Sequence, residues 1–182
     1  MSSERVQSTL KTVCVTGPEC TGKSDLSAFL ASHYKTAWVA EYARAYLNKL
    51  NRPYEQHDLV KIAHGQTRLQ QEWEIDAHRV LICDTNLLTI KIWSEFKYGT
   101  CDKEIVHSMA QTKVDLYLLC FIDLPWENDP QREHPDKRQH FWQIYRNEVQ
   151  KTGVPFVEIS GSREERRKIS IEAIDSLLKN PS

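Results

Sequence analysis

The sequence predicts an α/β fold, a three-layer sandwich around a five-stranded, mostly parallel sheet. Three observations predict it. Five short apolar runs bounded by charged or turn-forming residues recur along the chain, stretches of helical periodicity separate them, and a glycine-rich knot, "GPECTGKS" (17–24), joins the first run to the first helical stretch. Strands that alternate with helices need right-handed crossovers, which cover both faces of a parallel sheet.

The first run, "TVCVTG" (12–17), is continuous and β-branched, as a strand buried on both faces must be. In "SDLSAFLASHY", Leu26, Phe29, Leu30, His33 and Tyr34 recur at the spacing of one helix face. "AWVAE" (37–41) supplies a second strand, and residues 58–79 return to helical spacing through Leu59, Ile62, Leu69 and Trp73. "RVLICDT" (79–85), "VDLYLLCFID" (114–123) and "PFVEIS" (155–160) complete the strands, and "REERRKISIEAIDSLLK" reads as an amphipathic closing helix. One stretch breaks the pattern. "PWENDPQREHPDKRQH" (125–140) holds three prolines and clustered charge, so it reads as an exposed segment entering a helix near Lys137. A long polar segment between strand and helix is either a surface loop or a lid.

A chain of 182 residues is expected to form a single domain, 1–182, with the candidate lid at about 125–138. Its 24 basic and 25 acidic residues leave a net charge of −1, which gives no global attraction to nucleic acid or to an anionic membrane. Neither partner is expected, and any bound anion must be held locally. Cys14, Cys83 and Cys120 fall inside apolar runs, while Cys20 and Cys101 do not, and no CxxC pair occurs, so reduced thiols are expected in place of disulfides or zinc. The opening "MSSERVQSTLK" lacks the apolar stretch of a signal peptide, and no uncharged apolar run approaches membrane-spanning length, so a cytoplasmic location is expected.

Gly17 to Ser24 fits G-x-x-x-x-G-K-[ST] between a strand and a helix, the context that makes this pattern a phosphate-binding loop, or P-loop. Gly17 and Gly22 let successive backbone N–H groups curl around phosphate oxygens at the helix N-terminus. Glu19, Cys20, Thr21 and Asp25 complete the stretch expected to hold ATP; Lys23 would reach the β- and γ-phosphates, and the Ser24 hydroxyl would ligate Mg²⁺. Asp84, at the end of "VLICD", is the second expected metal anchor, delivered to the sheet edge where open α/β sheets bind ligands.

A guanine-reading [NT]-K-x-D would have to follow a strand; "TKVD" (112–115) precedes one, and no D-x-x-G occurs, so a GTPase switch is disfavoured. A compact phosphotransferase acting on a small molecule fits better. It needs a carboxylate to orient or deprotonate the acceptor hydroxyl, and Glu41, at the end of the second predicted strand, is the candidate. Arg44, one helical turn on, is a candidate substrate ligand. Arg132 and Arg138 are placed to grip phosphoryl oxygens from the lid, whereas His134 and His140 read as surface residues.

These stretches together resemble the ribosylnicotinamide kinase domain of the NadR type. "GPECTGKS", "EYARAYL", "DLVKIAHGQ", "CDTNLLTIKIWSEFKYG", "DLYLL", "DLPWENDPQREHPDKR" and the late "EISG" carry the resemblance in order over nearly the whole chain. It implies ATP-dependent phosphorylation of a nucleoside such as nicotinamide riboside at its 5′-hydroxyl. It also implies that Glu41 meets that hydroxyl, that Gln66 lies on a helix roofing the acceptor cleft, and that Gly161 to Arg163 form the adenine-side loop. Trp93 and Tyr98 are candidates to stack on a flat ring. Two departures stand against the pattern. Asn86 replaces the second Asp of the family's D-T-D, and no H-x-G-H of the adenylyltransferase domain occurs. Another nucleoside or nucleoside-monophosphate kinase, or a non-catalytic ATP- or GTP-binding regulator, remains the alternative.

Overall fold

The computed structural model describes residues 10–179, so most of the N-terminal stretch weighed as a leader, and both ends of the expected domain, lie outside the described residues. All five predicted strands form: β1 (Lys11–Thr16), β2 (Trp38–Val39), β3 (Val80–Asp84), β4 (Leu116–Cys120) and β5 (Phe156–Ile159). They make one wholly parallel sheet in the order β2-β3-β1-β4-β5. β1, β3 and β4 are buried along their whole length, as their unbroken apolar runs require.

Helices cover both faces. α1 (Lys23–Tyr34) and the closing helix α7 (Arg163–Lys179) pack on one, where Leu26 and Leu30 meet Val13, Val15, Ile82 and Ile174. On the other, α4 (Leu87–Tyr98) and α6 (Arg138–Lys151) bring Leu88, Ile92, Phe141 and Tyr145 onto Cys14, Tyr117 and Leu119. Three further helices, α2 (Tyr42–Lys49), α3 (Gln56–Glu74) and α5 (Lys103–Gln111), build a second apolar cluster beside α4. Burying one such leucine contributes about 2 kcal/mol, so each face holds its helices strongly.

The structure corrects several local expectations. α3 starts at Gln56 and stops at Glu74, five residues before the periodicity suggested, and Arg79 turns back toward β3 with φ of 62°. Trp73 and His33, expected on buried helix faces, are exposed in the last turns of their helices. His134 is not a surface residue; it is half-buried, with its ring stacked on Phe141 at 5.4 Å and edge-on to Phe96 at 5.2 Å.

Asp115 of the "TKVD" stretch accepts the Thr12 N–H at 2.8 Å at the sheet edge opposite the phosphate loop, a structural role that follows from its position before β4. Asn86 is also structural. It caps α4 by accepting the Leu88 N–H at 3.1 Å, and its amide donates to the Tyr117 hydroxyl at 2.9 Å. Asn86→Ala is expected to lower the unfolding free energy by about 2 kcal/mol, a lost cap plus a stranded phenol. The check is a lower urea midpoint at unchanged slope.

Candidate active site

Strand register decides what meets at the sheet edge. β1 and β3 are hydrogen-bonded neighbours with Val15 opposite Asp84, so the loop after β1 and the carboxylate ending β3 emerge side by side. Ser24, at the start of α1, donates to Asp84 Oδ2 at 2.5 Å. β2 is paired to the far side of β3, with Val39 opposite Cys83, and Glu41 follows two residues later on the same edge. Lys23, Ser24, Glu41 and Arg44 therefore line one cavity of about 260 Å³ floored by Gly17 and residues 19–25, with Trp93 and Arg132 on its walls.

The loop itself is tightly built. Gly17 has φ of 134°, and a Cβ there would meet the Cys120 carbonyl oxygen at 2.7 Å, so only glycine lets β1 turn beside β4. Cys20, also at positive φ, directs its carbonyl to Arg138 at 3.1 Å. The Lys23 ammonium folds back onto the Pro18 carbonyl at 2.6 Å. Arg166, which the sequence reading missed, is 5% exposed and donates to the carbonyls of Thr21 (3.0 Å), Phe121 (3.1 Å) and Gly161 (2.9 Å) while pairing with Asp123. Nothing distinguishes it in the basic run "REERRK" except its fold position.

Glu41 caps α2 without a side-chain bond of its own, leaving its carboxylate to the cavity. Burial holds its pKa above the ordinary carboxylate range; Lys23 pulls it down and Asp84 pushes it up. Asp84 is likewise raised by burial, against the Ser24 hydrogen bond and Lys23. Its Oδ1 is buried with no hydrogen-bond partner. A hard cation takes oxygen donors of this kind, so the Ser24 hydroxyl and an orphaned Asp84 oxygen fit Mg²⁺.

Not every expected site residue reaches the cleft. Gln66 is buried; its Oε1 accepts the Tyr42 N–H at 2.8 Å and its Nε2 reaches the Ala40 carbonyl at 3.5 Å. It does not roof a cleft but clamps the two peptides flanking Glu41. Its neighbour Gly65 makes room for the Tyr42 ring, where a Cβ would lie 2.1 Å away. Asn86 turns inward as described. Gly161 donates its N–H to Asp123 at 2.6 Å, and Arg163 grips Asp25, holding that carboxyl below its usual range, so both stand outside the cavity.

The proline-rich segment lies across the loop. Arg132 donates to the Cys20 sulfur at 3.3 Å and to the Glu127 carbonyl at 2.6 Å, and Arg44 donates to Asp129 at 3.0 Å. Arg138 lines a second, apolar cavity of about 370 Å³, whose walls include Tyr54, Phe96, Trp126 and Phe141. The two cavities share Glu19, Leu47, Trp93, Gln131 and Tyr145. Tyr98 lines neither, and its hydroxyl donates to the Tyr54 carbonyl at 3.2 Å. Tyr54, Trp126 and Tyr145 were not anticipated, because aromatic residues at helical spacing or in a charged loop carry no mark separating a pocket wall from core.

A family model described as an AAA domain matches residues 12–166. Among solved structures, NadR protein in complex with NR has the same fold at a TM-score of 0.79 and 19% identity, over 93% of this chain and 51% of that one. NadR protein in complex with NAD and AMP-PNP gives 0.75 and 18%, over 93% and 50%. The chain thus spans about half the length of these NadR chains. Thymidylate kinase from Ehrlichia chaffeensis gives 0.64 and 12%, over 92% and 98%.

Both raised carboxyls bear on stability. A carboxyl whose pKa is raised in the folded state holds its proton longer there than in the unfolded chain, so stability is full at low pH and falls as pH rises through the folded value. Glu41→Gln removes that loss and is expected to raise the melting temperature of the ligand-free protein at pH 7, with the gain vanishing below pH 4 in thermal scans.

Proposed function

We propose that this chain, which belongs to the AAA domain family, is an ATP-dependent kinase of a small nucleoside, with nicotinamide riboside as acceptor and its 5′-hydroxyl as the site of transfer. The observation that carries this reading is the adjacency of the two cavities: a polar one over the phosphate loop borders an aromatic one, with five lining residues in common. That shape suits a triphosphate meeting an alcohol whose other end is a flat ring. The likeness in fold to NadR structures with AMP-PNP and with NR supports the same pair of ligands.

In this reading the backbone amides of residues 17–24 and the Lys23 ammonium hold the β- and γ-phosphates, the ammonium exchanging the Pro18 carbonyl for a phosphate oxygen. Ser24 and Asp84 would hold Mg²⁺, which supplies charge neutralisation to the phosphates. Glu41 accepts the hydroxyl proton as the acceptor oxygen bonds to the γ-phosphorus; the bond from that phosphorus to the bridging oxygen breaks and ADP leaves. Burial makes Glu41 a stronger base than a solvated carboxylate. Gln66 fixes the backbone on either side of it.

Arg132 and Arg138 act from the lid. Their hydrogen-bond partners, the Cys20 sulfur and the carbonyls of Cys20 and Glu127, are neutral, with the Glu127 carboxylate 4.0 Å from Arg132 at the edge of pairing, and a phosphoryl oxygen competes well with such groups for a guanidinium. The regulatory alternative leaned on Asn86, whose side chain is committed to Leu88 and Tyr117. The missing charge therefore has little to do with the cleft.

Incubation with Mg-ATP and a nucleoside panel tests the reading. Phosphorylation of nicotinamide riboside is expected, and Lys23→Ala should lower turnover roughly 10²-fold. Transfer only to another metabolite would overturn the acceptor, and ATP turnover independent of any acceptor would overturn the class. The acid limb of kcat/KM should lie above the ordinary carboxylate range, with activity falling as Glu41 takes up a proton; a limb at the solvated value counts against Glu41 as base.

A further inference from the structure

The throat between the two cavities contains a group that the reading above leaves idle. Thr89, in the first turn of α4, is 2% exposed and lines the phosphate-side cavity, yet its hydroxyl makes no well-formed hydrogen bond and only approaches the Tyr145 phenol. Stranding a buried hydroxyl costs about 1–3 kcal/mol, and valine would fill the same space without that cost. Thr16 and Ser27 also hold buried, unpartnered hydroxyls, but neither lines either cavity. Beside Thr89 stands Tyr145 of α6, 3% exposed and lining both cavities, its phenol close to the polar side chains of Thr89 and Trp93.

α4 gives the direction. Thr89 faces the phosphate side, Trp93 both cavities, and Phe96 only the aromatic side. At 1.5 Å per residue the seven steps from Thr89 to Phe96 span about 10 Å, a length that a nucleoside covers from its sugar to the outer edge of its base. An acceptor with its reacting alcohol beside Glu41 and its ring beside Phe96 and Trp126 must leave its sugar at the throat.

We infer that Thr89 and Tyr145 form a hydroxyl-reading subsite, so that the chain selects its acceptor by a secondary hydroxyl of the sugar. The inference rests on the kinase reading. A sugar hydroxyl both donates and accepts, so it satisfies the Thr89 oxygen while accepting from the phenol. An acceptor lacking it leaves the two groups with only their poor contact with each other, which is how a polar site rejects a smaller analogue.

The test compares nicotinamide riboside with its 2′-deoxy and 3′-deoxy analogues, by turnover and by calorimetric binding in the presence of Mg-AMP-PNP. At least one deoxy analogue is expected to lose roughly 10- to 100-fold in kcat/KM and in affinity. In Thr89→Val the ratio of riboside to that analogue should collapse toward one, whereas Thr89→Ser, which keeps the hydroxyl, should retain it; Tyr145→Phe, checked for folding by its melting temperature, should behave as Thr89→Val does. Equal use of all three acceptors, or a Thr89→Val variant that weakens riboside and analogue alike, overturns the subsite. Binding without phosphorylation overturns the kinase reading alone and leaves the subsite to the binding ratio, and failure of every nucleoside to bind overturns both.

Discussion

The parallel pairing of β1 with β3 is the constraint on which the cleft depends. It sets Val15 opposite Asp84, so a flexible loop and a rigid strand end deliver Ser24 and Asp84 within a hydrogen bond of one another. A slip of one residue would turn every side chain of β3 to the opposite face and carry Asp84 away from the loop. The register is enforced from both sides, since alternate residues of β1 and β3 are buried under α1 and α7 on one face, while on the other Cys14 lies under α4 and α6 and Leu81 and Cys83 pack with Leu69 of α3. Glu41 inherits its place from the same ladder at one remove, through the two-residue strand β2. So short a strand holds little by itself, and just beyond it Gln66 of α3 holds the peptides on either side of Glu41 while Gly65 makes room for the Tyr42 ring.

The same burial that fixes these groups makes them costly. Two carboxyls, Glu41 on the cavity wall and Asp84 behind Ser24, are both made harder to ionise by burial; Asp84 adds to the difficulty for Glu41, and Lys23 compensates both. Lys23 is turned toward the Pro18 carbonyl and Asp84 keeps one oxygen without a partner. The ligand-free cleft is thus electrostatically incomplete, and groups that are poorly satisfied alone are those with most to gain from a polyphosphate and a cation.

The layers, the five strands and the phosphate loop were legible because each rests on a local signal: an unbroken apolar run, a periodicity, or glycines at fixed spacing. Lys23, Ser24, Asp84 and Glu41 were legible by extension, as residues standing where strands end. Gln66 and Asn86 were misread because sequence order gives proximity to a motif but not the direction of a side chain; one turns onto backbone and the other onto Tyr117. The aromatic cavity was only partly legible, through Trp93. Phe141, Trp142, Tyr145 and Val149 share the buried face of α6, and nothing in their spacing marks Tyr145 as the one that also borders open space.

Arg166 ties the phosphate loop to its neighbours at the sheet edge in a way that neither motif nor periodicity predicts. A buried guanidinium needs its five donors met, and here the acceptors come from three different loops: the phosphate loop at Thr21, the end of β4 at Phe121 and Asp123, and the turn before α7 at Gly161. No two of those loops are consecutive in the chain, so the arginine sets their separation where strand pairing has already ended. Its position in the first turn of α7 makes the closing helix part of the site's frame as well as a cover for the sheet. The geometry of the phosphate loop is consequently fixed at both ends, by β1 pairing before Gly17 and by a side chain from the far end of the sequence at Thr21.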